Sequence, residues 1–165
     1  MKGEMAVKKI LLAVDGSPAS HATAQMAGQF LDAFPQAKLT VLYVQSFIVD
    51  SYRDTLADRV HREEAQKAHE VERNVREQML PRWSDNLSFR TEVGDPAAVI
   101  VAVAEAENTD LIIVGNHSRT VLDRLAVGGI SNAVVHQARS PVLVVKGLPA
   151  HRQEEAQHVA PGQRG

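Results

Sequence analysis

The chain has 165 residues, enough for one domain with a good hydrophobic core, and its 44% hydrophobic and 23% charged residues are typical of a globular protein. A net charge of −2 gives no electrostatic argument for nucleic acid, and the absence of cysteine excludes disulfides, thiolate metal sites and a cysteine nucleophile. Since no run approaches the ~18 apolar residues of a membrane span, and the N-terminal run is too short for a signal peptide, we expect a soluble, cytoplasmic protein.

Strand and helix patterns alternate from the N-terminus. Residues 9–15 are almost continuously apolar and end in a Gly-Ser-Pro turn, which is typical of a strand buried on both faces. A helix is predicted from Ser17, which can cap it, with Pro18 in its first turn. The apolar stripe predicted for this helix consists of Ala22, Met26, Ala27, Phe30, Leu31 and Phe34.

The same alternation continues through the rest of the chain. Residues 39–44 predict a second strand, residues 87–93 a more exposed third strand, and residues 111–114 and 142–145 two further strands. Gly94-Asp95-Pro96 predicts the start of a buried helix over residues 97–106. A charged helix is predicted between residues 51 and 80, and its apolar stripe is Leu56, Val60, Ala68, Val71, Val75 and Met79.

This alternation predicts an α/β fold in which a doubly wound, five-stranded parallel sheet carries helices on both faces, and we take 3-2-1-4-5 as its strand order. Each pair of strands is separated by enough residues for a helix, and such connections are right-handed crossovers. We place this domain at residues 1–146. Residues 147–165 show no apolar period and are rich in polar residues, Gly and Pro, so they are predicted to be a flexible tail.

A ligand site is predicted where the strand order reverses. In open sheets of this kind, ligands bind beyond the carboxyl ends of the strands at that point, here between the first and fourth strands. Asp15 leaves the first strand and Gly115 leaves the fourth. A carboxylate can accept hydrogen bonds from ribose hydroxyls, while a glycine loop and a helix beginning near Gly129 can hold phosphates. Nucleotide binding is therefore the leading hypothesis.

Other chemistry has weaker support in the sequence. Asp15, His117 and Ser118 form a nominal Ser-His-Asp set, but neighbouring loop residues rarely point at each other, and no Gly-x-Ser-x-Gly elbow is present. The seven histidines lack metal-ligand spacing, and both the Walker and the Gly-x-Gly-x-x-Gly signatures are missing. We therefore assign no catalytic residue and no metal ligand, and we expect a protein that is not an enzyme, with slow hydrolysis of ATP left open.

Several segments together resemble the universal stress protein family over residues 8–146. These segments are KKILLAVDGSPAS, LTVLYV, VGDP, TDLIIVGNHSRT and GGISNAVVHQARSPVLVVK. The resemblance implies the adenine nucleotide alpha hydrolase-like fold and, in the ATP-binding branch, the motif Gly-x2-Gly-x9-Gly-(Ser/Thr) after the fourth strand. This chain has Gly115, Ser118, Gly128 and Gly129 at those four positions, so two of them are changed.

The resemblance also implies a role for each site residue. The main chain at Ala13 and Val44 would meet the adenine, and Asp15 the ribose. A divalent cation, Mg²⁺ or Mn²⁺, is expected because a triphosphate usually arrives with one. Singly, these residues have structural interpretations too, as core or turn positions, but their joint spacing favours ATP. The positions implied around the phosphates are Gly115, Asn116, Ser118, Arg119, Gly128, Gly129, Ile130 and Ser131.

The two departures from the motif bear on affinity. Ser118 adds a small side chain to the phosphate loop, and its hydroxyl can donate to phosphate. Gly129 lacks the hydroxyl of the family motif, a loss of about 0.5–1.5 kcal/mol, while Ser131 supplies a hydroxyl in the same turn. We therefore expect ATP binding to be weakened and retained.

The last strand predicts a partner. It is apolar and lies at the sheet edge of a 3-2-1-4-5 order, which favours pairing with another strand. By resemblance, Val142, Leu143, Val144 and Val145 would meet the same strand of a second copy in a homodimer; the alternative is a strand covered by its own helices. The sequence thus predicts an ATP-binding stress-response regulator. The alternatives are a nucleotide-free dimeric interaction module and a slow adenine-nucleotide hydrolase.

Overall fold

Helices and strands alternate along the chain as the hydrophobic pattern predicts. The computed structural model describes residues 6–45, 54–116 and 129–147, without the side chains of residues 54–57. The strands are β1 (Lys9–Val14), β2 (Lys38–Gln45), β3 (Leu87–Val93), β4 (Leu111–Asn116) and β5 (Val142–Lys146). The helices are α1 (Ser20–Ala33), α2 (Asp54–Asn74), α3 (Pro96–Glu107) and α4 (Gly129–Gln137), and a π-helical turn (Val75–Met79) and a 3₁₀ turn (Pro81–Trp83) follow α2.

The five strands form one parallel sheet in the order β3-β2-β1-β4-β5, so the predicted fold class is confirmed. The central strand β1 is apolar because both of its faces are covered; Leu11 and Leu12, which point to opposite faces, are each 0% exposed. The edge strand β3 is more exposed, as its sequence predicts, and Leu87 is its one buried residue. The order reverses between β1 and β4.

Successive side chains of each strand enter two different cores, one on each face of the sheet. On one face, Ile10 and Leu12 pack with α1 and the end of α2. On the other face, Leu11 and Ile112 pack with α3 and α4. Among the described residues, no helix is both long and apolar enough to cross a membrane.

The start of α1 differs from the prediction, since the helix begins at Ser20 rather than at Ser17. Asp15 Oδ1 accepts a hydrogen bond from the backbone N–H of Ser17 at 2.8 Å, and Ser20 N donates to Ser17 O at 3.0 Å. Residues 17–19 therefore form a turn closed by the aspartate, and the helix starts after it. Ser17 does not act as the cap, because its hydroxyl makes no hydrogen bond in the described part of the chain and Ser20 N donates to its backbone oxygen instead.

The buried face of α1 shares Ala27 and Leu31 with the predicted stripe and adds other residues to them. Small residues dominate it, which lets the helix lie close to its neighbours: Ser20, Thr23, Ala24, Ala27, Gly28 and Leu31 are buried. A Cβ atom on Gly28 would lie 2.9 Å from the ring of Trp83. The larger Met26, Phe30 and Phe34 are only partly buried and flank the core. The prediction used the spacing of apolar residues, which does not mark Ser20, Thr23 or Gly28 as buried.

The chain after α2 contains a turn that the sequence did not predict. Val71 and Val75 of the predicted stripe are buried, and Leu56 has no described side chain. The helix then widens into the π-helical turn, where Leu80 N donates to Val75 O at 2.8 Å. Leu80, which is 0% exposed, thereby enters the core immediately before Pro81.

The start of α3 agrees with the prediction. Asp95 is the N-cap, its Oδ2 accepts a hydrogen bond from Ala98 N at 3.0 Å, and Pro96 occupies the first helical position. Except for Gly147, the predicted tail lies outside the described residues.

Candidate functional site

The pairing of β1 with β4 ends before either strand does, and we call the place beyond their last shared pair the cleft. Their ladder runs from the pair Ile10 and Leu111 to the pair Leu12 and Ile113 and ends there. β1 stays in register with β2, and β4 with β5, to the last residue of each strand. Each strand thus follows its outer neighbour beyond the last shared pair. This is the position that the strand order predicts for a ligand.

Asp15 lies at this cleft, directly after β1, and its side chain is exposed. Its Oδ1 accepts hydrogen bonds from the backbone N–H of Ser17 at 2.8 Å and from the hydroxyl of Ser20 at 2.9 Å. A carboxylate offers about four acceptor positions on two oxygens, so these bonds do not by themselves exclude a ligand hydroxyl. The negative charge therefore has a defined position at the edge of the cleft.

The predicted adenine contacts lie on neighbouring strands and on one face of the sheet. Ala13 of β1 and Val44 of β2 are half-buried, and both pack against the core beneath α3 and α4. Ala13 pairs with Leu42, the residue two before Val44 on the same face. The tertiary structure thus brings these two positions together.

The other side of the cleft is formed by β4 and α4. Gly115 and Asn116 end β4 and are half-buried. Residues 138–141 alone separate the end of α4 from the start of β5, so α4 runs antiparallel to the strands, and its first turn lies at the carboxyl edge of the sheet. Val134 of α4 is 0% exposed and belongs to the same core as Val114.

The first turn of α4 has the features of an anion site. Its first N–H groups have no partner within the helix, and the helix dipole favours negative charge there. Gly129 is exposed, Ile130 is 50% exposed and Ser131 is 1% exposed. A Cβ atom built on Gly129 would meet none of the described residues within 4 Å. Packing against these residues therefore does not require a glycine at this position.

Three of the predicted phosphate-site residues fall on the segment 117–128, outside the described residues: Ser118, Arg119 and Gly128. His117, the centre of the nominal Ser-His-Asp set, lies there as well. The phosphate contacts of Ser118, Arg119 and Gly128 stay predictions.

Sequence reasoning missed two residues that determine the position of Asp15. Ser20 is buried and donates to its carboxylate. Gly16 has a φ of +77°, and a Cβ atom there would lie 2.9 Å from Val71 Cγ2 of α2. The Asp-Gly-Ser run is a turn signal that points to Gly16. Ser20 could not be found in this way, because its inward orientation depends on where α1 begins.

A second polar cluster lies on β3, near the far edge of the sheet. Arg90 donates to Glu92 at 2.6 Å and to Glu107 at 3.2 Å, and Thr40 donates to Glu107 at 2.9 Å. The hydrogen bond to Glu92 is the main cause of a raised pKa for Arg90. The guanidinium stays charged at any ordinary pH, so Arg90 is the cationic centre of this cluster.

The described residues offer no preformed metal centre: no three His, Asp or Glu side chains among them lie close enough together to hold an ion.

The fold and the cleft define the chain as a doubly wound α/β domain with an open switch point. The model of the Universal stress protein family matches residues 6–146, and the chain belongs to that family. The resemblance that the sequence motifs indicate is thereby confirmed.

Individual relatives agree with this assignment. Universal stress protein MJ0531 of Methanocaldococcus jannaschii is 31% identical over 149 residues, which cover 87% of this chain and 85% of the relative. The structure of the universal stress protein UspA from Lactobacillus plantarum is 31% identical, with a TM-score of 0.68 over 84% of this chain and 97% of the other. A universal stress protein solved in complex with cAMP is 24% identical, with a TM-score of 0.68 over 87% of this chain and 99% of the other, and shares the fold.

Proposed function

We propose that this universal stress protein binds an adenine nucleotide, with ATP as its main ligand, in the cleft between β1 and β4. The observation that carries the proposal is the early end of the β1–β4 ladder at Leu12 and Ile113. A continued ladder would use the backbone N–H and C=O groups along this side of both strands. Where the strands part, these backbone groups can instead form hydrogen bonds with the edge of a base. The cAMP bound by a relative of the same fold supports an adenine ligand.

The proposed contacts divide the nucleotide among three parts of the cleft. The adenine lies against the main chain of Ala13 and Val44, which share one face of the sheet. Asp15 accepts hydrogen bonds from the ribose. The phosphates lie at the first turn of α4, where Gly129 is open and the helix dipole favours an anion. Mg²⁺ or Mn²⁺ would arrive with the triphosphate and shield its charge.

We further propose that the nucleotide regulates the protein and is not consumed. A ligand that binds one conformation more tightly shifts the population toward it, and the bound form would then differ in its contacts with partners. We place this activity in the stress response of the cytoplasm, as expected for a family member. Slow hydrolysis of ATP is the alternative, and a measurement of phosphate release distinguishes it from binding without hydrolysis.

A homodimer through β5 completes the proposal. β5 is an edge strand, paired with β4 in the described part of the chain. Its residues Val142, Leu143 and Val144 are only half-buried although all are apolar, and Val145 is 9% exposed. An apolar edge with unpaired backbone groups favours a second copy of the same strand. Sedimentation equilibrium at micromolar concentration should give a dimer; a clean monomer would overturn this part.

The same edge favours a second candidate function, a nucleotide-free interaction module that acts through its dimer surface. Isothermal titration calorimetry of the purified chain with ATP separates the two functions, with GTP as the control for the base. We expect saturable binding of ATP and, after acid extraction of freshly purified protein, a co-purified adenine nucleotide. The absence of saturable binding up to millimolar ATP would support the module. Steady phosphate release that Asp15→Ala eliminates would support the hydrolase.

A further inference from the structure

We propose that Ser20 is a positioning residue, which orients the carboxylate of Asp15 so that the cleft selects nucleotides carrying ribose hydroxyls. The inference rests on the proposed function, because it concerns how that site recognises the sugar. Ser20 lies outside the set of residues that the family motif assigns to the site. It acts through Asp15 and does not itself touch the ligand.

The hydrogen bonds around Asp15 define the direction of its carboxylate. The hydroxyl of Ser20 donates to Asp15 Oδ1 at 2.9 Å, and the same hydroxyl accepts a longer bond from the backbone N–H of Asp15 at 3.4 Å. Because the N–H occupies a lone pair of the hydroxyl, the hydroxyl proton is directed at the carboxylate. The backbone N–H of Ser17 donates to the same oxygen at 2.8 Å. Two donors thus hold one carboxylate oxygen, and hydrogen bonds to an ionised acceptor are the stronger kind.

Burial separates the roles of the two side chains. Ser20 is 1% exposed, whereas Asp15 is exposed. A ligand in the cleft can therefore reach the carboxylate but not the serine hydroxyl. An exposed aspartate without fixed partners samples several rotamers, and ordering it on binding reduces affinity. The serine removes this cost before the ligand arrives.

The turn that carries Asp15 is also fixed from the side of α2. Gly16 adopts a φ of +77°, which disfavours other residues, and Val71 lies so close that a Cβ atom on Gly16 would be 2.9 Å from its Cγ2. Val71 itself is 7% exposed, so it has little room to move away. The turn is thus held between α1, through Ser20, and α2, through Val71. Such support from packed elements is what a precise binding group requires.

The chain offers a matched control one turn further along α1. Thr23 is also 1% exposed, and its hydroxyl makes no hydrogen bond in the described part of the structure. Thr23→Val therefore removes a buried hydroxyl from the same helix while leaving the bonds of Asp15 intact. Valine has nearly the shape of threonine, so the packing is conserved.

The test compares the affinities of the full-length protein for ATP and for 2′,3′-dideoxy-ATP by calorimetry. We expect the wild type to prefer ATP by about tenfold, the value of one hydrogen bond to a charged group. Ser20→Ala should lose most of this preference through weaker binding of ATP, with the affinity for the dideoxy nucleotide unchanged. Thr23→Val should keep the preference. If Ser20→Ala yields little folded protein, Ser20→Cys conserves the volume and provides only a weak donor, so it should show the same loss.

The other outcomes overturn the inference in distinguishable ways. A variant at Ser20 that melts at a lower temperature but prefers ATP as the wild type does would show that the serine only stabilises the turn. Wild-type protein that binds ATP and its dideoxy analogue equally would refute recognition of the ribose and leave nucleotide binding standing. Wild-type protein that binds neither would refute both the inference and the proposed function.

Discussion

The two ends of the β1–β4 strand pair each carry an aspartate, and the two aspartates differ in what they join. At the end where the two strands are paired, which we call the closed end, Asp110 precedes β4. Its Oδ2 accepts hydrogen bonds from the backbone N–H groups of Lys8 and Lys9 at 2.8 and 2.9 Å. Its own N–H donates to Lys9 O at 2.9 Å. At the other end, which we call the open end, the strands are no longer paired. The hydrogen bonds described for Asp15 there run to Ser17 and Ser20, in the turn and helix that follow β1.

The comparison shows that the two carboxylates have different roles at the two ends of this strand pair. An aspartate just before a strand faces the first N–H groups of the neighbouring strand and joins the two. An aspartate just after a strand closes the turn into the next helix instead, and the strands beside it remain free to part. The closed end thus stabilises the sheet, while the open end provides the space that we assign to a nucleotide.

The largest expected effect comes from filling the open end. Gly115→Val adds three carbon atoms where β4 borders the cleft, and we expect ATP affinity to fall about 100-fold, equivalent to about 2.7 kcal/mol. Valine favours strands, so the sheet should form normally. Calorimetry measures the affinity, and circular dichroism confirms the fold. Affinity equal to that of the wild type in a folded variant would place the ligand elsewhere.

The next effect is a loss of stability at the closed end. Asp110→Ala removes two hydrogen bonds between β4 and the start of β1, and we expect the free energy of unfolding to fall by about 1–2 kcal/mol, a modest value because the carboxylate is exposed. Urea denaturation measures it, with Asp110→Asn, which keeps an acceptor, as the control. The affinity for ATP should not change. A large loss of affinity would show that the two ends are coupled.

A smaller effect, of opposite sign, is expected at the first turn of α4. Gly129→Ser restores the hydroxyl that the family motif carries, and none of the described residues lies within 4 Å of its Cβ position. One added hydrogen bond should tighten ATP binding by about 2- to 10-fold. Gly129→Ala, which adds the carbon alone, is the control. Equal affinities for the two variants would mean that the hydroxyl does not reach the phosphates.

The smallest effect concerns Thr23, on the helix behind the open end. Its buried hydroxyl lacks a hydrogen-bond partner in the described part of the chain, so Thr23→Val should raise the free energy of unfolding by about 0.5–1 kcal/mol. Thermal and urea unfolding measure the change. A decrease would mean that the hydroxyl is solvated or bonded in solution.

Much of the fold could be predicted because its signals are local. The apolar run of β1 and the Asp95-Pro96 start of α3 depend on neighbours along the chain, and both predictions are confirmed. The cap at Ser17 was wrong because Ser17 belongs to a turn that is closed by Asp15, and α1 begins only at Ser20. The stripe predicted for α1 is confirmed in part: Ala27 and Leu31 are buried and its other members pack against the core, but small and polar residues outside the apolar pattern complete the buried face.

The sequence by itself determined the alternation of strands and helices, the parallel sheet and the acidic residue and glycine that leave β1 and β4, since each follows from periodicity, turn chemistry or connection length. Only the tertiary structure decided that the ladder between these strands ends at Leu12 and Ile113, that Ala13 and Val44 share a face, and that Ser20 lies beneath Asp15. These features depend on how distant segments pack. Periodicity along one segment carries no information about the register of another or about the rotation of the helix that covers it.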